Sequence, residues 1–211
     1  LSNENAVTFD GSSGFESGDV NGQNFTSDVT LTFEVFFNAN SISSGTTNAF
    51  GGIWGNGSTD DRTFLLGIRD GGTLGTTLRG SNSSGAQEQS GVNFGSLPSI
   101  ATGTDYYAAL VVDGSDSVTG YLQDLSNGGS LQSVTGSTNE ITSFNNTSEA
   151  LTIASLAGGS NFDGLIDEVR VSTSALSQSE LLVSVPEPST YALLGGLLAL
   201  GFAVVRRRVR S

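Results

Sequence analysis

At 211 residues with 36% hydrophobic content the chain is long enough for one domain and an appendage, and apolar enough to bury a core, which argues against disorder. All eight basic residues are Arg, and half of them lie in the last six positions, so residues 1–185 hold four Arg against 20 acidic residues, a net charge of −16. A body this acidic is repelled by nucleic acid, and divalent cations, neutral or cationic glycans and other proteins remain as partner classes.

Glycine is abundant at 29 residues and Pro numbers only three, the composition of short strands joined by turns. The first clear element in chain order is Val29–Phe37. Its period of two puts Val29, Leu31, Phe33, Val35 and Phe37 on one face and Thr30, Thr32, Glu34 and Phe36 on the other. Shorter strands are predicted at 51–54, 63–69, 73–79, 106–113, 118–123, 150–154 and 165–172, separated by turn clusters such as Asp70-Gly71-Gly72 and Asn127-Gly128-Gly129. Many short strands without intervening helices predict an all-β, two-sheet antiparallel jelly-roll sandwich over residues 1–184. One short helix is expected near its end, where Ser177-Gln178-Ser179-Glu180 fits a capping box before Leu181-Leu182.

Residues 185–211 form a separate tail. Tyr191–Val205 is fifteen residues without a charge, and with Ser189 and Thr190 it becomes 17, about 26 Å of helix against a hydrocarbon core of ~30 Å. A short transmembrane helix is therefore expected at about 190–205. Arg206, Arg207, Arg208 and Arg210 follow; they snorkel to the head groups and hold the C-terminus in the cytoplasm, with the body outside. Before the helix, Pro186 and Pro188 flank Glu187 and keep the segment extended and accessible, as a protease requires. Pro186-Glu187-Pro188, then a short apolar helix, then an Arg cluster, resembles the PEP-CTERM sorting signal. The resemblance implies export in a Gram-negative bacterium that makes extracellular polysaccharide, and processing by an exosortase, a membrane-embedded cysteine protease. Because Leu1 is not Met, it is expected to follow a removed signal peptide or further upstream chain.

Three segments of the body carry a second resemblance: Ala6-Val7-Thr8-Phe9-Asp10-Gly11; Tyr106–Gly114 followed by Val118–Gln123; and Phe162-Asp163-Gly164-Leu165-Ile166-Asp167-Glu168-Val169-Arg170-Val171 with Ala175-Leu176-Ser177 and Glu180-Leu181. They look like the opening strand, the central hairpin, and the closing strand and helical turn of the laminin-G-like branch of the concanavalin A-like sandwich superfamily. The resemblance implies binding of glycans or proteins, pairing of the first strand with the last, and in many members a calcium ion.

The residue inventory narrows the chemistry. Without His, Cys or Lys, no ordinary base is present to activate a serine, and metal sites are limited to oxygen ligands suited to calcium. Glycoside hydrolysis needs two carboxylates, about 5 Å apart in retaining enzymes and about 6.5–9.5 Å in inverting ones. Asp163 and Asp167 share a strand face but lie roughly 13 Å apart, and Asp167 and Glu168 point to opposite faces. No catalytic residue is assigned. Asp167 interrupts the apolar alternation of Leu165, Val169 and Val171, and with Asp10, which the resemblance implies lies alongside through pairing of the first and last strands, it is the candidate calcium ligand, a capping or edge carboxylate being the alternative. Trp54, the lone tryptophan, precedes Asp60, Asp61 and Arg62 and is either a sugar platform flanked by those groups or a core residue packed under a loop.

The expected function is that of an exported, exosortase-processed surface or matrix protein. Its module is non-catalytic and holds extracellular polysaccharide or a surface protein. A structural or adhesive matrix role without a discrete site is the alternative, and a glycosidase-like enzyme ranks third.

Overall fold

The computed structural model describes residues 6–16, 30–55, 62–114, 116–145, 149–156 and 159–184. They fall into two compact units, one ending at Leu176 and the other beginning at Ser177. In the first unit, two antiparallel sheets form. Six strands pair in the order β1 (Val7–Asp10), β13 (Asp163–Ser172), β3 (Thr30–Ala39), β8 (Asp105–Asp113), β9 (Val118–Asp124) and β10 (Gln132–Gly136). The second sheet runs β11 (Ser143–Phe144), β6 (Thr73–Ser81), β5 (Arg62–Arg69), β4 (Asn48–Trp54), β12 (Leu151–Ile153) and β2 (Phe15–Glu16), with β7 (Gln87–Asn93) also paired to β6. This is the all-β jelly-roll-type sandwich that the period-two pattern predicts.

Alternation explains the two layers. On β3, Leu31, Phe33, Val35, Phe37 and Ala39 are fully buried and point into the core. On the facing sheet Phe50 and Ile53 of β4, Phe64, Leu66 and Ile68 of β5, and Leu74 and Leu78 of β6 do the same. Aromatic rings join the layers: Phe37 and Phe50 lie 4.2 Å apart between centroids, and Phe162 stands 5.4 Å from Phe50. Gly120 of β9 lies directly under Phe94, where a Cβ would meet the ring at 2.4 Å, so only glycine admits that ring.

The outer face of the first sheet is also partly closed. Glu34, fully buried, pairs across strands with Arg170 and accepts a hydrogen bond from it, while the Tyr107 hydroxyl donates to the other Glu34 oxygen at 2.5 Å. Burial first, then the Glu34 carboxylate, pushes the Tyr107 hydroxyl well above its ordinary range.

Two expectations change. The closing strand carries a β-bulge: Ile166 opposes Phe37 and Val169 opposes Val35, so Asp167 and Glu168 share one step of the partner strand. The bulge reverses the phase, and Gly164 and Ile166 point inward before it and Val169 and Val171 after it. Asp167 therefore does not replace an apolar side chain in an unbroken stripe; it sits in the bulge, part-buried, with Glu168 exposed beside it. In the second unit the expected short helix is two single 3-10 turns, Gln178–Glu180 and Leu182–Ser184. The capping residues behave as predicted, with Glu180 accepting from the Ser177 backbone N–H at 2.9 Å and its hydroxyl at 2.6 Å. Among the described residues no helix is long and apolar enough to cross a membrane. The predicted transmembrane helix, Pro186, Glu187, Pro188 and the arginines from Arg206 to Arg210 lie outside the described residues.

Candidate functional site

Outward positions of the second sheet form a surface distinct from the core. Ala49 of β4 and Leu65 of β5 join Leu156 in a small apolar cluster, and the half-buried Trp54 packs against it. The indole thus has an apolar backing and a partly exposed ring at the end of β4. Its cross-strand partner is Arg62, brought opposite by a register shift between Ile53 and Trp54. The Arg62 guanidinium lies 4.8 Å from the ring centroid, and Arg79 of β6 lies 6.0 Å from it. Arg62 Nε donates to the Gly55 carbonyl at 3.3 Å, and the Arg62 carbonyl accepts from Asn145 at 2.9 Å, so the strand start is tied from both sides.

Arg79 reaches this surface because β6 alternates strictly. Leu74, Thr76 and Leu78 are buried, and Thr73, Gly75, Thr77 and Arg79 take the opposite face. Arg69 of β5 uses the same face further along. Its side chain lies across Gly75, where a Cβ would meet Arg69 Nε at 2.4 Å, and it donates to the Thr76 carbonyl at 2.8 Å and the Thr77 hydroxyl at 2.7 Å. Beyond Arg69 opens a polar cavity of about 420 Å³, lined among others by Thr46, Thr47, Asp70, Thr73 and Asn93.

The electrostatics of this face are unusual for so acidic a chain. Burial lowers the pKa of both Arg69 and Arg79 below the ordinary guanidinium range, and for Arg79 the neighbouring Arg62 charge adds to the effect. Two buried side-chain polar atoms among the described residues lack a hydrogen-bond partner, and both belong to these residues: Arg69 Nε and Arg79 Nε. No Asp or Glu occupies the outward positions of β6 and β7, which read Thr73, Gly75, Thr77, Arg79 and Ser81, then Gln87, Gln89, Gly91 and Asn93.

Of the sequence-predicted ligand group, the structure brings Trp54 and Arg62 together, and Asp60 and Asp61 lie outside the described residues. Arg79 and Arg69 were not singled out from sequence. The signal was present in the alternation of β6, where Arg79 shares the face of Thr73, Gly75 and Thr77, but its meeting with Trp54 depends on the order of β4, β5 and β6.

The candidate calcium pair is not assembled. The first and last strands do pair, but their register sets Asp10 opposite Asp163, and Asp167 lies four residues further along β13, about 13 Å away. Asp10 accepts from the Ser12 hydroxyl at 2.5 Å and its N–H at 2.9 Å, bonds that hold its carboxyl below the ordinary 3.8. Asp163 accepts from Asn40 at 3.1 Å and Ser41 at 2.7 Å. Among the described residues no three acidic side chains come close enough to hold a metal ion. The donor set at Asp10 and Asp167 does not fit the calcium ion expected there.

The description "Concanavalin A-like lectin/glucanases superfamily" matches residues 9–182, and the PEP-CTERM protein-sorting motif matches residues 184–208. No curated protein matches the chain. Among solved structures, domain 4 of an extracellular GH43 arabinanase from Geobacillus stearothermophilus, in complex with arabinotriose, is 21% identical over 83% of this chain and 73% of its own, with a TM-score of 0.53. The CBM40 module of Ruminococcus gnavus IT-sialidase, bound to α2,6-sialyllactose, is 16% identical over 87% and 97% of the two chains, with a TM-score of 0.58. A heptameric SAP-like pentraxin from Limulus polyphemus is 14% identical over 82% and 77%, with a TM-score of 0.51. At these identities the likeness is one of fold.

Proposed function

The chain belongs to the concanavalin A-like lectin/glucanase superfamily, and from that premise we propose that its sandwich is a non-catalytic glycan-binding module on an exported surface or matrix protein. The PEP-CTERM motif supplies the destination: sorting to the surface of a Gram-negative cell, with exosortase as the processing partner. Extracellular polysaccharide is the ligand class that this destination presents.

The observation that carries the reading is Trp54. A half-buried indole with an apolar backing suits contact between its exposed part and the apolar face of a sugar ring, and the two guanidiniums over the indole and the Thr, Gln and Asn side chains of β6 and β7 supply donors and acceptors for a sugar's polar groups. Two solved relatives of the fold are carbohydrate-bound, which supports the same use of this sandwich. The non-catalytic reading is supported by the residue inventory, since a chain without His, Cys or Lys has no ordinary base to activate a serine, and by the carbohydrate-binding module among its neighbours in fold.

A glycan array with the full chain tests this. Retention of one glycan class by the native protein, lost in Trp54→Ala, is the expected result. Retention of no glycan would contradict it and favour the structural matrix role.

A further inference from the structure

We propose that the sugar taken at Trp54 is acidic, its carboxylate or sulfate met by Arg79 and Arg62 while its ring lies on the indole. This rests on the glycan-binding reading and adds the charge class of the ligand. It also reverses what overall charge implies, since a net −13 favours neutral or cationic partners.

The placement of cations carries the argument. Residues 1–185 hold four Arg, of which Arg170 is engaged by the buried Glu34 on the other sheet. The other three, Arg62, Arg69 and Arg79, all stand on the second sheet. Among the described residues none of these three is paired with a carboxylate, whereas the body carries 20 acids from which to draw one. Two cations held against one indole repel each other, and that arrangement gains from an anion between or beside them.

Hydrogen bonding points the same way. Arg79 Nε is buried without a partner, and the Arg79 guanidinium lies over the indole, 6.0 Å from the ring centroid. A guanidinium presents donors in a planar fork, and a carboxylate or sulfate presents two oxygens at matching spacing, which a sugar hydroxyl does not. A neutral sugar would leave both charges uncompensated. Non-specific adsorption is not an alternative source of binding, because a polyanion is repelled by the rest of the body and gains only at a local cationic surface.

The test compares matched ligands on the full chain by titration calorimetry: galacturonate oligomers against their carboxyl-reduced counterparts, and sulfated dextran oligomers against dextran. The expected result is binding to at least one charged member, weakened by about tenfold or more when the charge is removed. The preferred charged member tells carboxylate from sulfate. Arg79→Gln should show a similar loss, with Arg79→Lys between it and the native protein, and an unchanged melting temperature separates this loss from misfolding. Equal binding of charged and neutral members overturns the proposal and leaves glycan binding standing. So does binding of neutral glycans alone. Binding of no glycan of any kind overturns both.

Discussion

The Arg62 guanidinium lies 4.8 Å from the centre of the Trp54 ring, directly opposite it across the β4–β5 pair. The contact holds the indole in one orientation and shields one side of it. Arg62→Ala is expected to cost about 0.5–1 kcal/mol in urea denaturation, the usual worth of a partly exposed cation–π contact. A loss several times larger would mean that Arg62 is part of the structural core and not of a surface platform.

The Glu34 carboxylate is fully buried between Arg170 and Tyr107. Removing the cation leaves a buried charge short of its counter-ion, so Arg170→Met should destabilise by about 3 kcal/mol, the lower end for such pairs because the Arg170 side chain is 33% exposed. Tyr107→Phe removes one hydrogen bond to the same carboxylate and should cost about 1–2 kcal/mol. Equal losses in the two variants would contradict this ranking.

Asp116 ties the β8–β9 turn to the segment after β10. Its carboxylate accepts from the Glu140 N–H at 3.1 Å and from the Ser137 and Thr138 hydroxyls at 2.8 Å each. The backbone bond from Glu140, then the two hydroxyls, holds its pKa below the ordinary 3.8. A depressed carboxyl stabilises the fold above its unfolded pKa, and that contribution disappears as pH falls through the folded value. Between about pH 5 and pH 2 the native protein should lose melting temperature more steeply than Asp116→Asn. Parallel curves would show that the bonds to Asp116 do not depend on its charge.

The tail carries its own prediction. With exosortase acting at the sorting motif, mass spectrometry of mature surface material should find peptides ending near Val185 and none containing Arg206 to Arg210. Recovery of the intact arginine-rich end would contradict processing.

The strands with a buried face were legible because one face of each must be apolar. Thus Leu31 to Phe37, the run around Leu66, and Tyr106 to Val112 stood out. The strands β7 and β10 did not, because both are poor in apolar residues: Gln87-Glu88-Gln89-Ser90-Gly91-Val92-Asn93 and Gln132-Ser133-Val134-Thr135-Gly136 face water over most of their length. A bulge escapes periodicity by nature, and the one at Asp167 misled the assignment of that residue to the inner face. Of the site, Trp54 and Arg62 were legible from spacing. Arg79 was not, because its distance from Trp54 is set by strand order, and 25 residues of sequence separate the two.

Trp54 is the chain's only tryptophan, so its emission reports this site and no other. Titrating the full chain with the best-retained oligosaccharide should give a saturable change in tryptophan emission and protection of the ring from acrylamide quenching, with a midpoint equal to the calorimetric one. Binding that proceeds with tryptophan emission and quenching unchanged would place the sugar elsewhere and contradict the account.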